Sequence, residues 1–265
     1  MSSTQDSTRS ERRPALALAT SRSIVGRASG VAEVRFEIVR GRALFEGDIV
    51  LGDAAVLMAA RPPLARQSLP DAELEGSVVT LDRRWPRGEI AYQLWDANAA
   101  LITEAMAHWE QKTAIRFIRR TAVNARQYPD FLAFIRDEHC WSAVGRSRGR
   151  QDLALSDNCS VGNAIHEIGH AVGLWHEQSR ADRDTHIEIL WDNIDPDERH
   201  NFEQNMTDGD DIGPYDCGSI MHYGAYAFSY TGLPTIVPRS AGVQIGQRIG
   251  LSDGDIAAVN ALYVR

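Results

Sequence analysis

The sequence predicts an α+β fold. Strand-like and helical segments interleave between residues 89 and 174, the last third is irregular, and one more helix follows near the C-terminus. With 265 residues, 43% of them hydrophobic, the chain is large enough for one sizeable domain with an appendage. No run approaches the ~20 apolar residues of a membrane helix, so no membrane partner is expected. The net charge of −8 argues against nucleic acid as the main partner.

Three segments precede the interleaved part. Residues 1–30 are polar, charged and without a period, which predicts a disordered tail. Its apolar stretch, ALALA, is shorter than the ~7–15 residues of a signal-peptide core, so no classical export signal is visible. Residues 31–60 alternate short apolar pieces, and the prolines and charges of 60–76 predict a linker.

Four segments have the short apolar character of strands. They are EIAYQLW (89–95), AIRFIRR (114–120), DFLAFIRD (130–137) and DLALS (152–156).

Three helices follow from periodicity and end signals. The stretch NAALITEAMAHWEQKT (98–113) carries one apolar stripe, formed by Leu101, Ile102, Ala105, Met106 and Trp109. A second helix is expected over SVGNAIHEIGHAVGL (160–174), with a glycine near its end. The third, SDGDIAAVNALY (252–263), opens with Ser252 and Asp255 in a capping-box pattern.

The stretch HEIGHAVGLWH (166–176) predicts a metal site. His166 and His170 are four residues apart and share one helix face. Gly173 can adopt the positive φ that ends the helix, so that His176 returns from the other side. Three neutral imidazoles with one open position are typical of a catalytic zinc site. The alternative, histidines at a chance spacing, is remote once five positions of the pattern are fixed.

Glu167 is the expected general base. One residue after His166, it is turned roughly 100° around the helix axis and flanks the metal position. Zinc lowers the pKa of a bound water to about 7. The carboxylate would take a proton from that water and pass it to a leaving amine, while zinc polarises the carbonyl and stabilises the oxyanion.

The pattern HExxHxxGxxH is that of the metzincins, and its extension resembles the astacin family of zinc metallopeptidases. The resemblance covers about residues 77–265. Its motifs are HEQSRADRD (176–184), SIMHY (219–223), RRWPRGEIAY (83–92), CWSAVGR (140–146), GLPTIVPR (232–239) and IGQRIGLSDGDIAAVNALY (245–263). It implies a metzincin-like domain of two lobes, with a twisted, mostly parallel sheet and two long helices above an irregular lower lobe that ends in a helix. One Zn²⁺ per chain would lie between the lobes, and the implied activity is endoproteolysis of proteins or peptides.

The resemblance also assigns roles to single residues. Met221 would form a hydrophobic floor under the imidazoles, and Tyr223 would be a further zinc ligand that moves to bind the oxyanion; ordinary packing is the alternative for both. Glu177 would contact the new N-terminus through water, or be an ordinary exposed carboxylate. Arg248 would favour acidic residues after the scissile bond, or form a surface salt bridge. Trp141 lies in the expected substrate-edge segment.

The stretch FEGDI (45–49) resembles the motif by which astacin pro-segments keep the enzyme latent. Asp48 would occupy the zinc position that water needs, until an activating protease cuts near residues 60–80. Residues 31–76 are then an inhibitory pro-segment with its linker, and 77–265 the catalytic domain. A Gly-Asp turn between two strands is the alternative.

Cysteine usage matches the family in part. Cys140 and Cys159 correspond to one of two framework disulfides, while Ala114 stands where a partner of the other is expected. Cys217 would be a buried hydrophobe or a reactive thiol. Because a disulfide needs an oxidising compartment, secretion is expected of this minimal, bacterial-type member despite the missing signal. The alternative function is a peptide-binding module that keeps zinc without turnover, against which Glu167 argues.

Overall fold

A parallel sheet and two helices form the centre of the molecule. The computed structural model describes residues 15–22, 31–59, 83–204 and 211–264, with side chains from Arg35 onward. The strands in these ranges are β1 Ala15–Arg22, β2 Val31–Val39, β3 Arg42–Phe45, β4 Ile49–Asp53, β5 Glu89–Leu94, β6 Arg116–Arg119, β7 Phe131–Arg136, β8 Arg150–Leu155, β9 Ile187–Ile189 and β10 Ile236–Pro238. The α-helices are α1 Ala54–Ala59, α2 Ala99–Lys112, α3 Val161–Val172 and α4 Asp253–Tyr263.

The central sheet has the order β6-β5-β7-β8, and its neighbouring strands all run parallel. Strands β5, β6 and β7 lie within segments predicted to be strands, and β8 overlaps the predicted segment 152–156 but begins two residues earlier, at Arg150. The helices α2 and α3 contribute to the same core, in which Trp109 is fully buried and its indole N–H donates to the Ile165 carbonyl at 3.1 Å. Burying such a side chain contributes on the order of 1.5–3 kcal/mol, so this contact fixes the helix that carries the histidines.

Residues 31–59, which we call the front segment, contain β2, β3, β4 and α1. Their three strands form a second, antiparallel sheet with β1, in the order β1-β2-β3-β4. Strand β1 corrects the prediction of a disordered tail, because Ala15–Arg22 pairs along its whole length with β2. An edge strand takes its backbone hydrogen bonds from a neighbour, which composition alone does not reveal. The rest of the tail, residues 1–14 and 23–30, and the linker 60–76 lie outside the described residues.

We call the described residues from 83 onward the main domain. Its lower part is irregular, as predicted. It consists of short 3-10 turns, the two-stranded pair β9-β10 and the helix α4. The predicted capping box is present, since the Ser252 side chain accepts from the Asp255 N–H and the Asp255 side chain from the Ser252 N–H. Asp255 also accepts from Ser219 Oγ at 2.6 Å and from the Ile220 N–H at 3.0 Å. Helix α4 thereby holds the segment predicted to lie beneath the metal.

Two further contacts brace α3. The predicted disulfide between Cys140 and Cys159 ties the segment after β7 to the start of this helix, while Cys217 is unpaired and half-buried. A Cβ added to Gly162 would lie 1.8 Å from the Arg248 carbonyl oxygen, so only glycine allows this close approach.

Among the described helices, none combines the length and the apolar character that crossing a bilayer requires.

Candidate metal centre

Local signals at both ends of α3 position its histidines. Ser160 caps the N-terminus in a reciprocal capping box with Asn163. At the other end Gly173 has φ 125°, and its N–H donates to the carbonyls of Gly169 and His170. The left-handed conformation turns the chain back on itself, as the sequence predicted.

Four side chains converge after this turn. One ligand atom from each of Asp48, His166, His170 and His176 lies within 4.8 Å of the other three. The Nε2 atoms of His166 and His176 are 3.3 Å apart, and the two Asp48 oxygens lie 3.2 Å from them, Oδ2 from His166 and Oδ1 from His176. Two atoms bound at about 2.0–2.1 Å in a tetrahedral site are about 3.3 Å apart. The spacing therefore fits a tetrahedral ion.

Unpaired polar atoms within the cluster support the same interpretation. His170 Nε2 and Asp48 Oδ1 are buried and have no hydrogen-bond partner among the described residues. Such atoms are costly unless something binds them. A set of three imidazole nitrogens and one carboxylate oxygen suits zinc, so the residues present fit the metal that the sequence predicted.

The outer ring nitrogens fix the tautomers. Each donates to an oxygen, which leaves the Nε2 lone pair directed inward. The pairs are His166 Nδ1 to the Ile220 carbonyl at 2.8 Å, His170 Nδ1 to the Leu174 carbonyl at 2.9 Å, and His176 Nδ1 to Glu46 Oε2 at 2.7 Å.

Burial and the neighbouring carboxylates shift the pKa values of the cluster in opposite directions. Burial lowers the pKa of His166 to about 3 and also lowers the pKa of His170, which favours neutral imidazoles. Burial opposes the charge of His176, but the carboxylates of Asp48 and Glu46 outweigh it and raise the pKa of that histidine to about 9. Burial, with the charge of Asp48, raises the pKa of Glu167 well above its ordinary value. The Glu167 Oε2 atom is buried without a hydrogen bond to any described residue.

The carboxylate of the cluster arrives on a tight hairpin. The turn between β3 and β4 consists of Glu46, Gly47 and Asp48, and we call it the hairpin turn. Its first two residues have positive φ, 49° and 79°. A Cβ on Gly47 would lie 2.8 Å from the Phe228 ring, so that position requires glycine for both its conformation and its space.

The hairpin is anchored on the predicted substrate-edge segment. Ser142 N–H donates to the Asp48 carbonyl at 2.9 Å, and Val50 N–H donates to the Ser142 carbonyl at 2.8 Å. Trp141 beside it is 3% exposed, and the Arg42 guanidinium lies 4.3 Å above its ring. The front segment thus occupies the edge to which an extended chain would add.

Two residues of the predicted SIMHY motif lie at the cluster. Tyr223 is buried with its ring 4.7 Å from that of His176, and its hydroxyl donates to the Glu46 carbonyl at 2.5 Å. Met221 packs beneath α3, where a Cβ on Gly169 would lie 2.6 Å from its sulfur. Met221 thus lies against the helix, and its role as a floor and the ligand role of Tyr223 both stay predictions.

The two remaining charged candidates have structural partners. Arg248 is half-buried and donates through Nη1 to the carbonyls of Ile220 and His222, and it forms no ion pair with any described residue. The surface salt bridge considered for it therefore has no partner in these ranges. Glu177 accepts from the Asp216 N–H at 2.7 Å, and burial raises its pKa to about 8, so it is not an ordinary exposed carboxylate.

Three further residues were not found from the sequence. Glu46 contacts a predicted zinc ligand, Phe228 covers the hairpin turn, and Glu198 meets Glu37 of the front segment. Glu46 stands inside the FEGDI motif, which was the one available signal. Nothing local marks the other contacts, because they depend on how the front segment docks.

The Glu37–Glu198 contact predicts a pH-dependent docking. Burial is the main cause that raises the pKa of Glu198, to about 7, and the hydrogen bond to Glu37 and the charge of Glu37 raise it further. The charge of Asp195 adds to this rise, whereas His200 opposes it. A raised carboxyl pKa stabilises the fold fully below the ordinary value of about 4.5, and this stabilisation is lost as pH rises through about 7. Glu198→Gln, which is always neutral, should raise the melting temperature by a few degrees at about pH 8.5 and hardly at about pH 5.

The measurement is thermal unfolding of the full chain at both pH values. Glu188→Gln is the matched control, because Glu188 is exposed on the same lobe. A Glu198→Gln melting curve that keeps the wild-type dependence on pH would contradict this account.

Comparison with known proteins agrees with the geometry. Residues 77–264 match the family model described as Astacin, a peptidase family. Blastula protease 10 of Paracentrotus lividus is 42% identical over 193 residues, which is 68% of this chain and 32% of that protein. Zinc metalloproteinase nas-4 of Caenorhabditis elegans is 37% identical over 227 residues, 82% of this chain and 68% of that protein.

A solved structure shares the fold. It is that of high choriolytic enzyme 1, a hatching enzyme zinc-protease from the medaka fish Oryzias latipes, with a TM-score of 0.61 and 38% identity over 68% of this chain and 92% of that one. The expected fold class is thereby confirmed. Since this chain spans only about a third of blastula protease 10, the likeness covers the domain and not the whole of that relative. By the extent of the family match and the identity to its relatives, the chain belongs to the astacin family of peptidases.

Proposed function

We propose that this chain is a zinc endopeptidase, made as a zymogen, that hydrolyses proteins or peptides. The observation that carries the proposal is the convergence of three imidazoles and Asp48 on one point, with the buried carboxylate of Glu167 on the same helix. His166, His170 and His176 would hold one zinc ion. When bound, the metal would supply Lewis acidity and acidify a water molecule.

Glu167 would move the proton. Its carboxylate is buried on α3 beside the cluster, so it would accept a proton from that water and pass it to the leaving amine. The unpaired Oε2 atom supports this role, since a carboxylate kept only for structure would have a partner.

Removal of the front segment would complete the site. Tyr223 would lose the Glu46 carbonyl as its acceptor, which would free the hydroxyl to bind an oxyanion. The backbone groups of Ser142, now paired with the hairpin, would become available to an extended substrate beside Trp141. Arg248 would then favour a carboxylate in the substrate.

Two structural features would serve the processed form. Glu177, half-buried beside Asp216, would receive the new N-terminus through water, because an ammonium group would compensate its charge. The Cys140–Cys159 bond suits secretion into an oxidising compartment, where an activating protease would act.

The test combines metal analysis, casein cleavage and N-terminal sequencing of the full chain before and after a protease has cut near residues 60–80. We expect about one zinc per chain in both forms, with cleavage of casein only after processing. Zinc without cleavage in the processed chain would contradict a peptidase and favour the peptide-binding alternative. A chain without stoichiometric zinc would contradict both.

A further inference from the structure

Glu46 is the most constrained residue of the hairpin turn. Its side chain is 1% exposed, and its backbone has φ 49°, a conformation that residues other than glycine adopt only when the surroundings impose it. One carboxylate oxygen accepts from His176 Nδ1 at 2.7 Å and the other from Ser179 Oγ at 2.7 Å. Its carbonyl accepts from the Tyr223 hydroxyl. The contacts of this one residue with the main domain exceed what a simple turn between two strands requires.

The three candidate zinc ligands differ in where their outer partners come from. His166 and His170 donate to the backbone carbonyls of Ile220 and Leu174, which belong to the main domain. His176 donates to the front segment, and to a carboxylate. A cut between the two parts therefore leaves two of these outer contacts in place and removes the third.

Outer partners affect the metal as well as the ring. A carboxylate that accepts from an imidazole N–H fixes the ring orientation and makes the opposite nitrogen a better donor, and loss of such a partner typically costs about 10–100-fold in metal affinity. Both oxygens of Glu46 are engaged, so its position is set independently of the metal.

We propose that Glu46 supports the third zinc ligand, His176, by accepting a hydrogen bond from its outer ring nitrogen. In the latent chain the front segment would then help to retain the metal through Glu46, while Asp48 of the same turn blocks the metal position that water needs. Removal of the front segment then makes the zinc of the processed chain easier to exchange. The inference rests on the proposed zinc site and adds a separate residue to it. Ser179 is a positioning residue, because it holds the Glu46 carboxylate and does not contact the cluster through any described bond.

The experiment measures zinc release from the full chain to an excess of the chromogenic chelator 4-(2-pyridylazo)resorcinol. Glu46→Gln keeps the shape of the side chain and removes its charge, and we expect it to weaken zinc binding about 10–100-fold. Ser179→Ala should weaken binding less, in the same direction, since one anchor of the carboxylate remains. Asp53→Asn is the matched control, because Asp53 is an exposed carboxylate of the same segment that caps α1.

A spectroscopic readout separates this role from a general loosening of the hairpin. In the cobalt-substituted full chain, Glu46→Gln should shift the visible absorption bands, while Asp53→Asn should leave them unchanged. Processing provides an internal control, because the processed chain lacks residue 46 and all variants should then release zinc at one rate. If Glu46→Gln and Ser179→Ala both bind zinc stoichiometrically and release it at the wild-type rate, the inference is wrong while the proposed function stands. If the wild-type chain binds no zinc, the proposed function fails first.

Discussion

Glu167→Gln should leave zinc bound and lower the turnover of a processed chain by about 10²–10⁴-fold, the usual contribution of a general base. The glutamine has the same shape and remains buried on α3, so His166 and His170 keep their outer hydrogen bonds to the carbonyls of Ile220 and Leu174. What the substitution removes is the group able to accept a proton. The measurement is casein or peptide cleavage beside metal analysis of the same sample.

A matched control distinguishes chemistry from stability. Glu104 lies exposed on the neighbouring helix α2, and Glu104→Gln changes the net charge equally while leaving the site intact. Cleavage by Glu167→Gln at the rate of this control would show that another group moves the proton. Loss of zinc together with loss of activity would mean that Glu167 acts on the fold of the site rather than on the reaction.

The features of this site that the sequence predicts are those formed by residues close together in the chain. His166 and His170 face one way because of a helical spacing, and Gly173 ends the helix because it adopts a positive φ. The caps Ser160 and Ser252 are equally local. A pattern of a dozen residues determines such features, since the interactions that form them lie within one or two helical turns.

The contacts that were missed join segments far apart in the chain. Glu46 and His176 are separated by 130 positions, and their hydrogen bond exists only because the hairpin enters the cleft. Strand β1 is a different case, because its partner β2 is close in the chain and the polar, aperiodic composition of residues 1–30 gave no sign of the pairing. For Arg248 the alternatives were a substrate-binding residue and a surface salt bridge, and the close approach of its backbone to Gly162 places it against the domain rather than in a surface ion pair. Such placements follow from packing, and composition carries no signal for them.

The second large effect is expected at Asp48. In the uncut chain, Asp48→Ala should raise casein cleavage about tenfold or more over the uncut wild type, equivalent to roughly 1.4 kcal/mol or more of lost blocking. The carboxylate oxygens lie 3.2 Å from the Nε2 atoms of His166 and His176. They therefore occupy the position at which the reacting water must bind. Alanine cannot take a metal position, so water regains access to it. Activity should nevertheless stay below that of the processed chain, since Glu46 still holds Tyr223 and the turn still pairs with Ser142.

The measurement requires proof that the active molecules are uncut. Mass spectrometry of the reacting sample should give the intact chain, and the double variant Asp48→Ala, Glu167→Gln should be silent, which excludes a contaminating protease. Asp53→Asn again serves as the control within the front segment. If the intact Asp48→Ala chain is as inactive as the wild type, latency does not depend on the carboxylate. The obstruction would then be the hairpin turn itself, wedged between Phe228 and the substrate edge, and Gly47 would be the residue that allows it to fit.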